Sequence, residues 1–286
     1  MKVLVFGLNG QVAIELKRQP NVVVESLGRD VADLTKPEEC VDHIARTDAD
    51  VVINAAAYTA VDAAESDVPT ATMVNATSPG AMARACAARD LPFIHISTDY
   101  VFDGAGEGPF HVDHTPDPLG VYGQTKLDGE EAVRQAGGTF AIFRTSWVVS
   151  AHGNNFVKTM LRLGAERDEL NVVDDQIGGP TPAAHIAATC VAAAEQLLTA
   201  PSKTGTYHLS GGPDVSWAEF ARAIFEMADI NCTVKGIPSS QYPTPAPRPK
   251  NSRLDNSQTE QVFGLKRYDW KSGLSDILKE LEELSA

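Results

Sequence analysis

The first seventeen residues constrain the fold more than any other stretch of the chain. Val3 to Phe6 form a continuous apolar run, as expected of a parallel strand that is buried on both faces. The run leads directly into the turn Gly7 to Gly10, after which Ile14, Leu16 and Lys17 begin a helical pattern. Strand, glycine-containing turn and helix, in this order, are the context in which a pyrophosphate binds a helix N-terminus. The start of the chain therefore predicts a dinucleotide-binding α/β domain.

Two later segments indicate which dinucleotide is bound. The second predicted strand, 22–27, is followed by Arg29, which suits the 2′-phosphate of NADPH, whereas an acid at this place usually holds the ribose of NADH. Asp33 and Leu34 follow in a loop where an adenine commonly rests. The strand 50–54 ends in the small residues 55–57, which leave room for a cofactor across the strand end. We therefore predict NADPH or NADH as cofactor, with Arg29 favouring NADPH.

A strand-end hydroxyl and a tyrosine–lysine pair predict carbonyl chemistry. The strand 92–96 leads into Ser97 and Thr98, where a hydroxyl can hydrogen-bond a carbonyl oxygen. Tyr122 and Lys126 are four residues apart in a helical segment, so they lie about one turn apart on one face. A free phenol titrates near ~10, and an ammonium group nearby favours the phenolate. The pair is therefore predicted to transfer a proton, although the same spacing also occurs on solvated helix faces.

The order of elements predicts a Rossmann-type, doubly wound parallel sheet with a smaller C-terminal substrate-binding lobe. Residues 1–146 are predicted to form the dinucleotide-binding core. Residues 147–286 are predicted to form mainly the substrate-binding lobe. Within this range, segments in 155–212, including a strand at 170–174, are predicted to rejoin the dinucleotide-binding core. The proline-rich loop 238–249 delivers Arg248, Lys250 and Arg253, which can hold a diphosphate or simply be solvated.

Composition excludes several other classes of function. A net charge of −14 argues against a nucleic-acid surface and against binding to anionic membranes. No apolar stretch approaches the ~20 residues of a membrane span, so we expect a cytoplasmic protein. The four scattered cysteines indicate buried thiols, and the seven histidines show no metal-ligand spacing.

Motifs along nearly the whole chain resemble the extended short-chain dehydrogenase/reductase superfamily and, within it, the family of dTDP-4-dehydrorhamnose reductases. The motifs are Gly7-x-x-Gly10-Gln11-Val12, Asn54-Ala-Ala-Ala-Tyr58-Thr-Ala-Val-Asp62-x-Ala-Glu65, Ser97-Thr-Asp-Tyr-Val-Phe102, Val121-Tyr-Gly-x-Thr-Lys-Leu127, Phe143-Arg-Thr-Ser-Trp147, Asn154-Asn-Phe, Asp175-Gln-x-Gly and Arg248-Pro-x-Asn-Ser-Arg-Leu254.

This resemblance implies an NAD(P)H-dependent reduction of the 4-keto group of a nucleotide sugar. Tyr122 would donate the proton, Lys126 would lower the pKa of Tyr122 and bind ribose, and Thr98 would bind the keto oxygen. The residues implied to line the cofactor are Gly7, Gly10, Gln11, Val12, Arg29, Asp33, Leu34, Ala56, Ala57, Tyr58, Thr59, Tyr122 and Lys126. The residues implied to contact the substrate are Thr98, Asp99, Tyr100, Trp147, Asn155, Arg248 and Arg253.

Tyr100 separates the family from related enzymes, and two departures from the family pattern, Ala13 in place of the frequent third glycine and Ala184-His185 in place of a glutamate, also bear on what is expected. Tyr100 stands where related sugar dehydratases carry a glutamate base, so dehydration is not expected. The resemblance also implies Mg²⁺ that bridges a homodimer through glutamates; Glu15 matches this pattern, but Ala184 and His185 stand where a second glutamate is usual. Two alternatives stay open. One is a reductase of another nucleotide sugar, and the other is a non-catalytic subunit similar to the regulatory subunit of methionine adenosyltransferase.

Overall fold

A computed structural model describes residues 1–285. The strands of this described part are β1 (Lys2–Phe6), β2 (Val23–Leu27), β3 (Val51–Asn54), β4 (Phe93–Thr98), β5 (Phe140–Thr145), β6 (Val148–Val149), β7 (Glu169–Val173), β8 (Ile177–Gly178), β9 (Thr181–Pro182), β10 (Gly205–His208), β11 (Val215–Ser216), β12 (Thr233–Ile237) and β13 (Asn251–Ser252).

The α-helices alternate with the longer strands through the first half of the chain and dominate the C-terminal part. They are α1 (Gln11–Lys17), α2 (Pro37–Arg46), α3 (Val61–Ala64), α4 (Val68–Thr72), α5 (Ser78–Ala87), α6 (Val121–Ala136), α7 (Phe156–Glu166), α8 (Ala183–Thr199), α9 (Trp217–Met227), α10 (Ser257–Phe263) and α11 (Trp270–Ser285). A π-helical segment, Met73–Thr77, joins α4 to α5, and short 3₁₀ turns lie at Asp99–Val101, Pro201–Lys203 and Ser239–Gln241.

Six strands form the central sheet in the order β10-β5-β4-β3-β1-β2. Every neighbouring pair is parallel, which confirms the predicted doubly wound fold. After β2 the chain crosses to the other side of β1, so the strand order reverses between β1 and β3. Ligands of such sheets bind outside the carboxyl ends of the strands at this reversal.

Alternate residues of β1 enter two different hydrophobic cores because successive side chains of a strand point to opposite faces. Val3 and Val5 belong to a core built with α1, α8 and α10. Leu4 and Phe6 belong to a core built with α2, α5 and α6. Both faces of the sheet are therefore covered by helices, so a ligand can reach the sheet at the ends of its strands.

A third core forms the C-terminal lobe from α7, β7, α9 and α11. Of the elements in 155–212, α8 packs in the core of the central sheet and β10 is one of its strands, whereas α7 and β7 pack in the core of the lobe. β7 pairs with β12 in a separate two-stranded sheet. Its burial alternates, with Leu170 and Val172 buried in the lobe, whereas the central strands are buried on both faces.

Within residues 1–285, no helix has the length and apolarity that crossing a membrane requires. The four cysteines are all buried free thiols.

Candidate active site

A cleft of about 590 Å³ lies at the carboxyl ends of β1, β3, β4 and β5. We call it the carboxyl-end cleft. Its walls combine the turn after β1, the small residues after β3, the end of β4 and the start of α6. Predicted site residues that line it are Gly7, Gly10, Gln11, Val12, Ala56, Ala57, Thr59, Thr98, Asp99, Tyr100, Tyr122, Lys126 and Trp147.

The turn between β1 and α1 exposes the first backbone N–H groups of α1 to the cleft. Gly7 has φ of +125°, a conformation that side chains disfavour, and a Cβ there would lie 3.3 Å from Ala13. Gly10 precedes the helix and offers no side-chain cap, so the first N–H groups stay free for an anion. Gln11 is held at its place by Asn155, whose amide donates to Gln11 Oε1 over 3.0 Å. The turn therefore leaves backbone N–H groups at the start of α1 that could bind a phosphate.

Gly123 brings α6 against the turn after β4. A Cβ at Gly123 would lie 2.2 Å from the carbonyl oxygen of Tyr100, so this close approach requires glycine. The ring of Tyr122 then packs edge-on against Tyr100, with ring centroids 5.5 Å apart. The motif Tyr-Gly-x-x-Lys thus places Tyr122 beside Thr98 and Asp99, and Lys126 one turn further along the same helix.

The protonation of this pair differs from the prediction made from spacing. Burial raises the pKa of Tyr122 to about 12, and a hydrogen bond with Thr98 opposes the rise only in part. Burial lowers the pKa of Lys126 to about 8, with the Glu130 carboxylate opposing. The expected lowering of the Tyr122 pKa by Lys126 is not seen in this structure, because burial raises this pKa and the nearby Asp99 carboxylate adds to the rise. A phenol that stays protonated at neutral pH suits a proton donor.

Thr98 and Asp99 line the cleft beside Tyr122. Thr98 Oγ1 donates to Asp99 Oδ1 over 3.1 Å and accepts from the backbone N–H of Tyr100 over 3.2 Å. Asp99 is buried, its Oδ2 has no partner among the described residues, and burial raises its pKa to about 6. Burial likewise raises the pKa of Tyr100. The free carboxylate oxygen can accept a hydrogen bond from a ligand hydroxyl.

Trp147 joins the central sheet to the lobe. It follows β5 with φ of +48°, and its ring stacks on Trp217 of α9 with centroids 3.5 Å apart. The exposed edge of Trp147 lines the cleft, where an aromatic ring can pack on a base or sugar.

Seven predicted residues do not line the carboxyl-end cleft: Arg29, Asp33, Leu34, Tyr58, Asn155, Arg248 and Arg253. Arg29 is exposed at the end of β2 and pairs with Asp33 over 3.4 Å. Arg248 pairs with Asp62 over 2.9 Å, and Arg253 donates to Asn251 over 3.0 Å. The predicted diphosphate-binding arginines are thus engaged within the protein.

Asn75, His95 and Glu130 support the site but were not singled out from the sequence. Asn75, in the π-helical segment, accepts from the Tyr58 N–H over 2.8 Å and donates to Thr125 of α6 over 3.1 Å. It therefore ties the segment after β3 to the helix that carries Tyr122. The sequence signal that could have identified them is the polarity of their side chains, because each stands on a helix face or strand that is otherwise buried.

Glu15 lies outside the cleft, near the end of α1. Its carboxylate approaches His152 and Glu280, and the three potential ligand atoms lie within 4.8 Å of one another. The guanidinium of Arg18 ion-pairs with Glu280 and lies 2.8 Å from His152 Nε2. His185 does not join them; its ring stacks on Tyr268 with centroids 4.6 Å apart. The cluster links α1, the loop after β6 and α11.

Known proteins resemble this chain over nearly its full length. The family model of the RmlD substrate binding domain matches residues 1–283. The chain is 43% identical over 279 residues to a dTDP-4-dehydrorhamnose reductase of Sinorhizobium fredii, which covers 95% of this chain and 94% of that protein.

Solved structures show the same fold over nearly the full length. A dTDP-4-dehydrorhamnose reductase of Clostridium acetobutylicum has a TM-score of 0.92 and 35% identity, with 99% of this chain and 100% of that chain covered. The enzyme of the same name from Bacillus anthracis, in complex with NADP, has a TM-score of 0.91 and 33% identity, with 98% and 99% covered.

Proposed function

Because the chain belongs to the family described by the RmlD substrate binding domain, we propose that it reduces dTDP-4-dehydro-L-rhamnose to dTDP-L-rhamnose with NAD(P)H. The observation that carries the proposal is the convergence of Thr98, Tyr122 and Lys126 on one cleft, beside the glycine turn of a dinucleotide fold. The cofactor is a nicotinamide dinucleotide, as in the structural relative that holds NADP.

In the proposed mechanism, the chain positions the keto group and supplies its proton. A reduced nicotinamide, held by the turn after β1 and by Lys126, would supply the hydride for sugar carbon C4, and the carbonyl electron pair would move onto the oxygen. Thr98 turns its hydroxyl proton from Asp99 to this oxygen and hydrogen-bonds it, and Tyr122 transfers its phenolic proton to it. Lys126 binds ribose, and its ammonium stabilises the phenolate that remains on Tyr122. Trp147, which stacks on Trp217, packs in this proposal on the sugar nucleotide.

The first test is turnover by the purified protein. Oxidation of NADPH and NADH is followed by absorbance with dTDP-4-dehydro-L-rhamnose as substrate. We expect turnover with the dTDP sugar and far less with the same sugar on another nucleotide. Absence of turnover with either cofactor, despite dinucleotide binding, would instead favour the non-catalytic subunit or another keto sugar.

We further propose that Arg29 gives a preference for NADPH. Its side chain is 80% exposed at the end of β2, and its ion pair with Asp33 is weak enough to rearrange around a 2′-phosphate. For Arg29→Ala we expect kcat/KM with NADPH to fall about tenfold, since one charge-assisted contact is worth ~1.5 kcal/mol or more. The value with NADH is expected to stay close to wild type.

Arg46 provides a matched control for Arg29. It is also 80% exposed and also pairs with an aspartate four residues away, but it lies at the end of α2. Arg46→Ala should leave both cofactors unaffected. Equal losses with NADPH and NADH in Arg29→Ala would contradict the assignment of Arg29 to the 2′-phosphate.

We propose that the cluster of Glu15, His152 and Glu280 is an ionic contact and not a magnesium site. Mg²⁺ prefers six oxygen ligands, whereas this cluster offers a histidine nitrogen. The guanidinium of Arg18 also already lies against Glu280 and His152. The same turnover assay, run in excess EDTA, should therefore give an unchanged rate.

Homodimerisation and the division into core and lobe at residue 147 stay predictions.

A further inference from the structure

His95 is a wholly buried histidine in the middle of β4, and it contacts Lys126. The distance from His95 Nε2 to Lys126 Nζ is 3.4 Å. On its other side, His95 Nδ1 lies 3.2 Å from the amide nitrogen of Asn54, at the end of β3. The three side chains thus form a buried row behind the cleft, from β3 through β4 to α6.

The hydrogen bonds of this row determine which histidine nitrogen carries the proton. Asn54 Oδ1 accepts from the backbone N–H of Ala56 over 3.2 Å, so the Asn54 NH₂ group must face His95. His95 Nδ1 therefore accepts, and the proton of the neutral ring lies on Nε2. Burial and the charge of Lys126 hold the pKa of His95 well below its ordinary value, so the ring stays neutral. Its Nε2–H consequently points at Lys126 Nζ.

An N–H that points at an ammonium group is unfavourable, but it can donate to a neutral amine. Among the described residues, Lys126 Nζ has one acceptor within hydrogen-bond distance, the carbonyl oxygen of Ile96 at 2.7 Å. Burial lowers the pKa of Lys126 to about 8. The geometry of His95 acts in the same direction as this burial.

Other charged groups around Lys126 come from three elements. On α6 these are Tyr122 and Glu130, and the turn after β4 adds Asp99. Arg144 of β5 and Arg134 of α6 both pair with Glu130, over 2.7 and 3.2 Å, which reduces the support that this carboxylate gives to the ammonium. No described carboxylate makes a direct ion pair with Lys126.

We propose that His95, oriented by Asn54, is a positioning residue that lowers the proton affinity of Lys126. The Nε2–H of His95 stabilises the neutral amine and disfavours the ammonium. This inference rests on the proposed function, in which the ammonium of Lys126 is needed. Reduction is therefore expected to decline as the pH rises through the pKa of Lys126, and His95 determines where this decline lies.

The test compares His95→Gln with wild type over pH 6–10. A glutamine amide can turn its oxygen toward Lys126 and accept from the ammonium. We expect the alkaline limb of kcat/KM to move upward by about one pH unit, the size of a typical shift from a new hydrogen-bonded partner. NADPH affinity, measured by cofactor fluorescence over the same range, should show the same shift because Lys126 also binds ribose in the proposal.

Asn54→Asp provides a second variant, should glutamine disrupt the strand. A carboxylate oxygen in place of the amide nitrogen accepts from Nδ1–H, which moves the ring proton and leaves Nε2 free to accept from Lys126. The limb is again expected to move upward. His208→Gln is the matched control, since His208 is equally buried but lies on β10. Its limb should stay at the wild-type pH.

An unmoved or downward-shifted limb in either folded variant would overturn the role of His95, and so would an equal shift in His208→Gln. If wild type reduces no keto sugar, the proposed function fails. The pH dependence of NADPH affinity still decides the inference in that case, because it needs no substrate.

Discussion

Tyr122→Phe is expected to lower kcat about a thousandfold, because general acid catalysis by a positioned side chain contributes roughly 10²–10⁴. Phenylalanine keeps the ring that packs edge-on against Tyr100, so the wall of the cleft is preserved. Only the proton that the oxygen of the keto group needs is removed. The measurement is NADPH oxidation at pH 7 under saturating substrate, together with NADPH binding by fluorescence, which should persist.

Tyr207→Phe is the control for loss of a buried hydroxyl. The Tyr207 hydroxyl donates to the carbonyl oxygen of Lys203 over 2.6 Å, at the far end of β10 from the cleft. Its removal should cost about 1 kcal/mol of stability and leave turnover unchanged. If Tyr122→Phe retains wild-type turnover while its cofactor still binds, Tyr122 is not the proton donor.

The raised pKa of Tyr122 has a consequence for the shape of the pH profile. Its phenol stays protonated through neutral pH, with a pKa of about 12, so the titration of Tyr122 does not shape the profile near neutral pH. Lys126, with a pKa of about 8, loses its charge first as the pH rises. An alkaline decline in turnover near pH 8 is therefore assigned to Lys126.

Sequence patterns predicted the features that depend on local spacing. The apolar run before Gly7, the small residues after β3 and the Tyr122–Lys126 spacing each depend on neighbours along the chain. Repeated strand–helix alternation then fixes a parallel sheet, and with it the edge at which these segments meet. This is why most of the predicted cleft residues converge in the structure.

What the sequence did not predict depends on long-range contacts and burial. β7 belongs to the lobe because it pairs with β12, which lies some sixty residues later in the chain. The residue pattern of a single strand does not show which other strand it pairs with. Arg248 was predicted to hold phosphate, yet its charge is engaged by Asp62, which is distant in sequence. The pKa of Tyr122 rises because it is desolvated, and spacing alone does not measure desolvation.

Glu130→Ala is expected to destabilise the protein by about 3–5 kcal/mol, the usual cost of removing one partner of a buried ion pair. The Glu130 carboxylate is fully buried and accepts from Arg144 Nε over 2.9 Å and from Ser97 Oγ over 2.5 Å. Alanine leaves the buried guanidinium of Arg144 without its counter-charge. Thermal unfolding followed by circular dichroism should show a midpoint lower by roughly 10 °C.

Glu131→Ala tests whether burial, and not the loss of any glutamate, causes this effect. Glu131 is the next residue of α6 and pairs with the same Arg134 over 2.8 Å, but its side chain is 54% exposed. Exposed pairs contribute about 0–1 kcal/mol, so its midpoint should stay close to wild type. Similar losses in both variants would mean that the charge of the helix matters more than the pair with Arg144. A large loss in Glu130→Ala alone would show that one buried pair holds together β4, β5 and α6, that is, the strand that ends at Thr98, the strand that precedes Trp147 and the helix that carries Tyr122.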